Sequence, residues 1–123
     1  MTPQWQKHDS GDCSNTTASN NTAVGLSALE SNTTGCQNVA LGRNALCSNV
    51  TGDNNTAIGR ASLLLNTADN NTAVGRNSLN QNTSGASNTA VGVLALDANT
   101  TGAENVAVGH KALCALTVSY GNA

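Results

Sequence analysis

Phenylalanine is missing from this chain, and tryptophan and tyrosine occur once each, as Trp5 and Tyr120. Aromatic side chains bury the most area apiece and usually dominate a globular core. A conventional two-layer domain is therefore not expected from these 123 residues. Charge is scarce too: 10 % of residues carry one, against roughly 25 % in typical globular chains. The net charge of −2, with five Lys and Arg in all, provides no clustered basic footprint of the kind nucleic acid requires. No apolar run approaches the ~20 residues of a membrane span, so insertion into a membrane is not expected. Residues 1–12 lack the apolar stretch of a signal peptide; the chain is read either as not exported by that route or as a cut-out fragment. Histidine appears twice, as His8 and His110, with no pair at ligand spacing and no nucleophile signature. No enzymatic activity, no metal and no cofactor is expected.

What is present is repetition. Asn (19), Ala (18), Thr (15) and Gly (12) supply 64 of the 123 residues. So simple a composition is compatible with disorder, but disorder has no reason to keep register. The block Asn-x-Ala-(Val/Leu/Ile)-Gly occurs six times, ending at Gly25, Gly42, Gly59, Gly75, Gly92 and Gly109, with spacings of 17, 17, 16, 17 and 17. Four residues before each glycine stands Asn21, Asn38, Asn55, Asn71, Asn88 or Asn105, and two before it an alanine, from Ala23 to Ala107. Four after it comes Leu29, Leu46, Leu63, Leu79, Leu96 or Leu113. Seven after it runs a second asparagine column, Asn32, Asn49, Asn66, Asn82 and Asn99, broken at Leu116. A further glycine follows at Gly35, Gly52, Gly85 and Gly102; the third repeat lacks it, which accounts for its shorter length of 16. Asn15-Thr16-Thr17 fits as a preceding half repeat, and Asn122 begins a seventh.

A helical pair needs about 33 residues per repeat, so 17 is too short. Glycine supplies positive φ without steric cost and asparagine tolerates it best among the others, so both are read as corners. Thr-Ala-Val pieces between corners suit strands of about three to five residues. The reading is an all-β solenoid, one repeat per coil, about 17 residues per coil and six to seven coils. Coils stacked about 4.8 Å apart make a block roughly 30 Å tall, with the asparagines as hydrogen-bonding ladders. Residues 1–14 are assigned to an irregular N-terminal segment or cap, with Trp5 as its plug, and residues 15–123 to the repeat domain. Side chains alternate along a strand. The Val24 column is assigned to the interior and the Ala23 column to the outside, where something packs closely; the converse, alanine filling a narrow interior, is the alternative. A coil filled by one Val and one Leu buries little against a backbone ordering cost of about 1–2 kcal/mol per residue. That points to several chains associating along the solenoid axis.

Asn38-Val39-Ala40-Leu41-Gly42 and Asn105-Val106-Ala107-Val108-Gly109 resemble the Asn-Ser-Val-Ala-Ile-Gly signature of trimeric autotransporter adhesin heads, the YadA-like β-roll. The longer pattern Asn-Thr-Ala-Val-Gly-x-x-Ala-Leu-x-x-Asn-Thr-Thr-Gly also resembles repeats of phage tail fibres. The resemblance covers about residues 15–123. It implies a left-handed parallel β-roll, a homotrimer of chains side by side, and a role in attachment to a cell surface, with an extracellular or virion location.

Arg43, Arg60 and Arg76 share the column just after the glycine, with His110 further along it and Lys111 beside it. One reading is a stripe for an acidic glycan receptor or anionic surface. The other, weighed ahead of it because exposed charges often do only this, is pairing with Asp53, Asp69, Glu30 or Glu104 across coils or chains. Asp53 and Asp69 share a column that is read as a solvated corner. Cys13, Cys47 and Cys114 share one column and Cys36 occupies another. Stacked cysteines two coils apart exceed the roughly 7 Å that a disulfide spans between Cα atoms. Cys36 with Cys47 or with Cys13 is the feasible pairing, Cys114 is left free or interchain, and four small buried thiols are the alternative. No cap is legible at the far end, so the chain either continues or stacks end to end. The leading function is a structural, adhesive fibre segment; a self-assembling extracellular filament and, less favoured, ice binding are the alternatives.

Overall fold

The computed structural model describes residues 5–8 and 17–123. Seven parallel strands stack in sequence order: β1 (Trp5–His8), β2 (Asn21–Val24), β3 (Val39–Leu41), β4 (Thr56–Ile58), β5 (Thr72–Val74), β6 (Thr89–Val91) and β7 (Val106–Val108). The register is that of the repeat: Ala23 lies against Ala40, Ala40 against Ala57, and so on to Ala107. The fold is a β-solenoid of about 17 residues per turn, and about five turns separate β2 from β7. Trp5–His8 pairs with β2 as the first rung of the sheet, so that part of the N-terminal segment is regular. The seat of the Trp5 side chain lies outside the described residues.

Each coil contributes one short strand; the rest is corners. Positive φ recurs at three columns of ordinary residues: two after the glycine (Asn44, φ 63), four after it (Leu46, φ 51) and twelve after it (Asn54, φ 59). A leucine in the left-handed region is uncommon. It persists because burial and ladder bonds on both sides hold it: Leu46 is buried, and its N–H donates to Ser62 O at 3.1 Å in the next coil. The asparagine columns, expected at positive φ, are not there. Of the two glycine columns, only the first is left-handed, with Gly42 at φ 125. The second is glycine for space. A Cβ on Gly35 would run into Gly52 O of the next coil and Asn32 Oδ1 of its own.

The interior reverses the expected facing. Ala23, Ala40, Ala57, Ala73, Ala90 and Ala107 are 0–2 % exposed, whereas Val24, Ile58, Val91 and Val108 are 36–70 % exposed. The strand alanine packs against the leucine column and the alanine three after the glycine. With two asparagines also inside each turn, the coil has room for a methyl group at that position and not for a valine.

Candidate functional site

The interior is a hydrogen-bonded polar stack. In the first asparagine column Oδ1 accepts the backbone N–H of the asparagine one coil on: Asn38 at 2.8 Å from Asn21, Asn55 at 2.9 Å from Asn38, through to Asn122 at 2.9 Å from Asn105. The amide nitrogen donates to the carbonyl at the following tight corner, as Asn38 Nδ2 does to Gly52 O at 2.8 Å. The second column bonds side chain to side chain, Asn99 Nδ2 to Asn82 Oδ1 at 2.8 Å and Asn82 Nδ2 to Asn66 Oδ1 at 2.8 Å. It stops where the sequence stops it: Leu116 has no amide, and Asn99 Oδ1 is left buried without a partner. These asparagines serve the fold and are closed to a ligand.

Candidate binding groups therefore lie outside, and the strand presents them in columns. The outer face of the sheet carries Val24, Leu41, Ile58, Val74, Val91 and Val108 beside Thr22, Val39, Thr56, Thr72, Thr89 and Val106, all exposed or half-buried. One edge of this face, just after each strand, holds Arg43, Arg60, Arg76, His110 and Lys111, every one exposed. The columns are fixed by backbone bonds: Ala61 N–H donates to Arg43 O at 2.9 Å and Asn77 N–H to Arg60 O at 3.0 Å. The column stacks like charges one coil apart, about 4.8 Å between strands, and among the described residues no acidic group pairs with them. The pairing with Asp53, Asp69, Glu30 or Glu104 is not made within the chain: no ion pair forms among the described residues.

The acids are elsewhere on the coil. Asp53 and Asp69 stand at the opposite edge, before the strand, and each is tied into its column: Asp53 Oδ1 accepts Cys36 N–H at 2.7 Å, and Asp69 Oδ1 accepts Asp53 N–H at 2.8 Å. Each carboxylate accepts a backbone N–H of the preceding coil, a role the sequence alone did not reveal. Glu104 is at that same edge, exposed. Glu30 and Asp97 lie five after the glycine, away from the sheet. Glu30 Oε2 accepts the Cys47 thiol at 3.7 Å. Burial, and then the Glu30 charge, push the Cys47 thiol above its ordinary value. Burial also raises the Asp97 carboxyl.

Cys36, Cys47 and Cys114 are free, half-buried thiols. Cys36 donates to Thr34 O at 3.3 Å and Cys47 to Glu30 Oε2, and both thiols are free, so the Cys36–Cys47 disulfide is not made. Cys13, and with it the Cys36–Cys13 pairing, lies outside the described residues. So does the side chain of His8. Among the described residues no three His, Cys, Asp or Glu gather as metal ligands, and no helix is long and apolar enough to cross a membrane. Comparison with protein families, curated proteins and solved structures finds nothing that matches the chain.

Proposed function

We propose that the chain is a non-enzymatic structural segment of an adhesive fibre, a left-handed β-roll whose copies associate side by side as a homotrimer and present their outer surface to a cell. The observation that carries this reading is the outer face of the sheet. Six rungs of Val, Leu or Ile stand in one unbroken column on a flat surface, next to a column of Thr and Val. Contiguous exposed apolar surface on a soluble chain marks an interaction site. The inward-facing methyl groups of the alanine column leave each coil with one large buried aliphatic side chain, its leucine. Covering the outer column with further copies adds the apolar burial that the narrow interior lacks. Closed rings of identical chains are the usual outcome of such association. The resemblance to adhesin heads and tail-fibre repeats adds the attachment role and an extracellular or virion location. Arg43, exposed and with the uncharged Cys36 and Gln37 on the other side of β3, offers a cation to an acidic glycan.

Sedimentation of the whole chain tests it. The expected mass is three times 12.3 kDa. Ile58→Asp with Val91→Asp, two exposed positions, lowers the mass to that of one chain while the circular dichroism stays β. A wild-type chain that sediments as a monomer at every concentration sinks the reading. Attachment is read separately, as retention of the assembled protein on glycan-bearing cells and its loss on cells stripped of acidic glycans.

A further inference from the structure

The charges at the two edges of the sheet are matched rung by rung. At β4 Asp53 stands three residues before the strand and Arg60 two after it; at β5 Asp69 and Arg76 stand likewise. At β7 Glu104 stands before and His110 and Lys111 after. The uncharged rungs are uncharged at both edges: Ser19-Asn20 and Leu26-Ser27 flank β2, and Ala86-Ser87 and Val93-Leu94 flank β6. Among β2 to β7 only β3 is one-sided, with Cys36-Gln37 opposite Arg43. The matching has no use inside one chain. Asp53 and Arg60 stand on opposite sides of β4, and an ion pair needs about 4 Å between them. Each is exposed or half-buried, and no ion pair joins them.

We infer that copies of this chain pack parallel and at equal height around a common axis, so that Arg60 pairs with the partner's Asp53, Arg76 with the partner's Asp69 and Lys111 with the partner's Glu104. The inference rests on the side-by-side association proposed above and specifies its direction and register. A rotation about an axis parallel to the solenoid leaves every rung at its own height. It also joins two different patches, the later edge of one copy to the earlier edge of the next. Each basic rung then meets the acidic edge of the same rung, and neutral rungs meet neutral ones. A two-fold axis perpendicular to the solenoid instead sets the basic edge on the basic edge. A slip by one rung leaves Asp53 facing Arg43 or Arg76 but strands Glu104 against the uncharged Val93-Leu94 corner or beyond the last basic rung. One oxygen of Asp53 is engaged by Cys36 N–H; the other is open to the neighbour.

The test uses the full chain. Arg60→Glu with Arg76→Glu removes no bond within the chain, and is expected to keep the β circular dichroism while weakening self-association at least ten-fold in sedimentation. Adding Asp53→Lys and Asp69→Lys is expected to restore association to within a few-fold. Because those aspartates also hold backbone N–H groups, a second measurement on the wild type guards against misfolding. Zero-length carbodiimide coupling of a mixture of ¹⁴N and ¹⁵N chains is expected to join Lys111 to Glu104 between differently labelled copies. Unchanged association in the arginine variant, a folded but dissociated four-site variant, or no Lys111–Glu104 link between copies overturns the edge pairing and leaves lateral association standing. A monomeric wild type overturns both.

Discussion

Two buried asparagine columns run the length of the solenoid, one opening each strand and one seven residues after the glycine, and their hydrogen bonds differ in kind. The first stands in for backbone: Asn88 Oδ1 is the acceptor of Asn105 N–H at 3.0 Å, and its Nδ2 donates to Gly102 O at 2.7 Å. At Asn82 the second supplements groups already served. Asn82 Nδ2 reaches Asn66 Oδ1 and Gly85 O, both at 2.8 Å, yet each of these also accepts from Asn71 Nδ2, at 3.1 and 2.8 Å. Both columns share the corner carbonyl, but the first also accepts a backbone N–H in each coil, whereas the second accepts only side-chain amides. The same residue type thus closes the sheet in one column and braces the corner in the other.

The largest expected effect separates them directly. Asn88→Ala orphans a buried backbone N–H and costs about 3 kcal/mol or more, whereas Asn82→Ala leaves each former partner with another bond and costs about 1–2 kcal/mol. Urea unfolding of the two variants measures the gap, and equal losses break the distinction. A smaller change sharpens it at the end of the second column. Leu116→Asn gives Asn99 Oδ1 the donor it lacks and is expected to raise stability by about 1 kcal/mol, while Leu116→Ala, which adds no donor, lowers it. The smallest effect lies off both ladders. Asp97 is half-buried, its backbone carbonyl accepts Gln81 N–H at 3.2 Å while its carboxyl makes no hydrogen bond, and burial raises that carboxyl above its ordinary value. The folded chain then holds that proton more firmly than the unfolded one, so the group weakens the fold as pH rises through the carboxylate range. Asp97→Asn is expected to melt a degree or so higher than the wild type at neutral pH, the difference closing in acid; thermal melts across pH check it.

Much of this was legible in the residues. The recurrence at Gly25 through Gly109 fixed the coil length, the stacking and the place of the leucines, because only a structure that repeats in space needs a side chain to repeat in register. The asparagine ladders were legible for the same reason, as was the break at Leu116, where Asn99 Oδ1 is left without a donor among the described residues. The facing of the strand was not. Alternation tells that Ala40 and Leu41 point oppositely, not which is inside; that depends on how wide the coil is. The left-handed leucines were also hidden, since leucine rarely adopts that conformation and only tertiary contacts on both sides hold it there.

The candidate surface divides in the same way. The column of Arg43, Arg60 and Arg76 was visible as a stripe, because a register of 16 or 17 residues aligns any residue with its counterpart one coil on. That Asp53, Asp69 and Glu104 stand on the other side of the strand and form no ion pair with it among the described residues was decided by the corners that flank each strand. Sequence alone determined that this chain is a stack of like coils, since periodicity is a one-dimensional property. Which side of the coil is core and which charges face each other across a sheet belonged to the tertiary structure, because both follow from coil width and corner angles that no single repeat encodes.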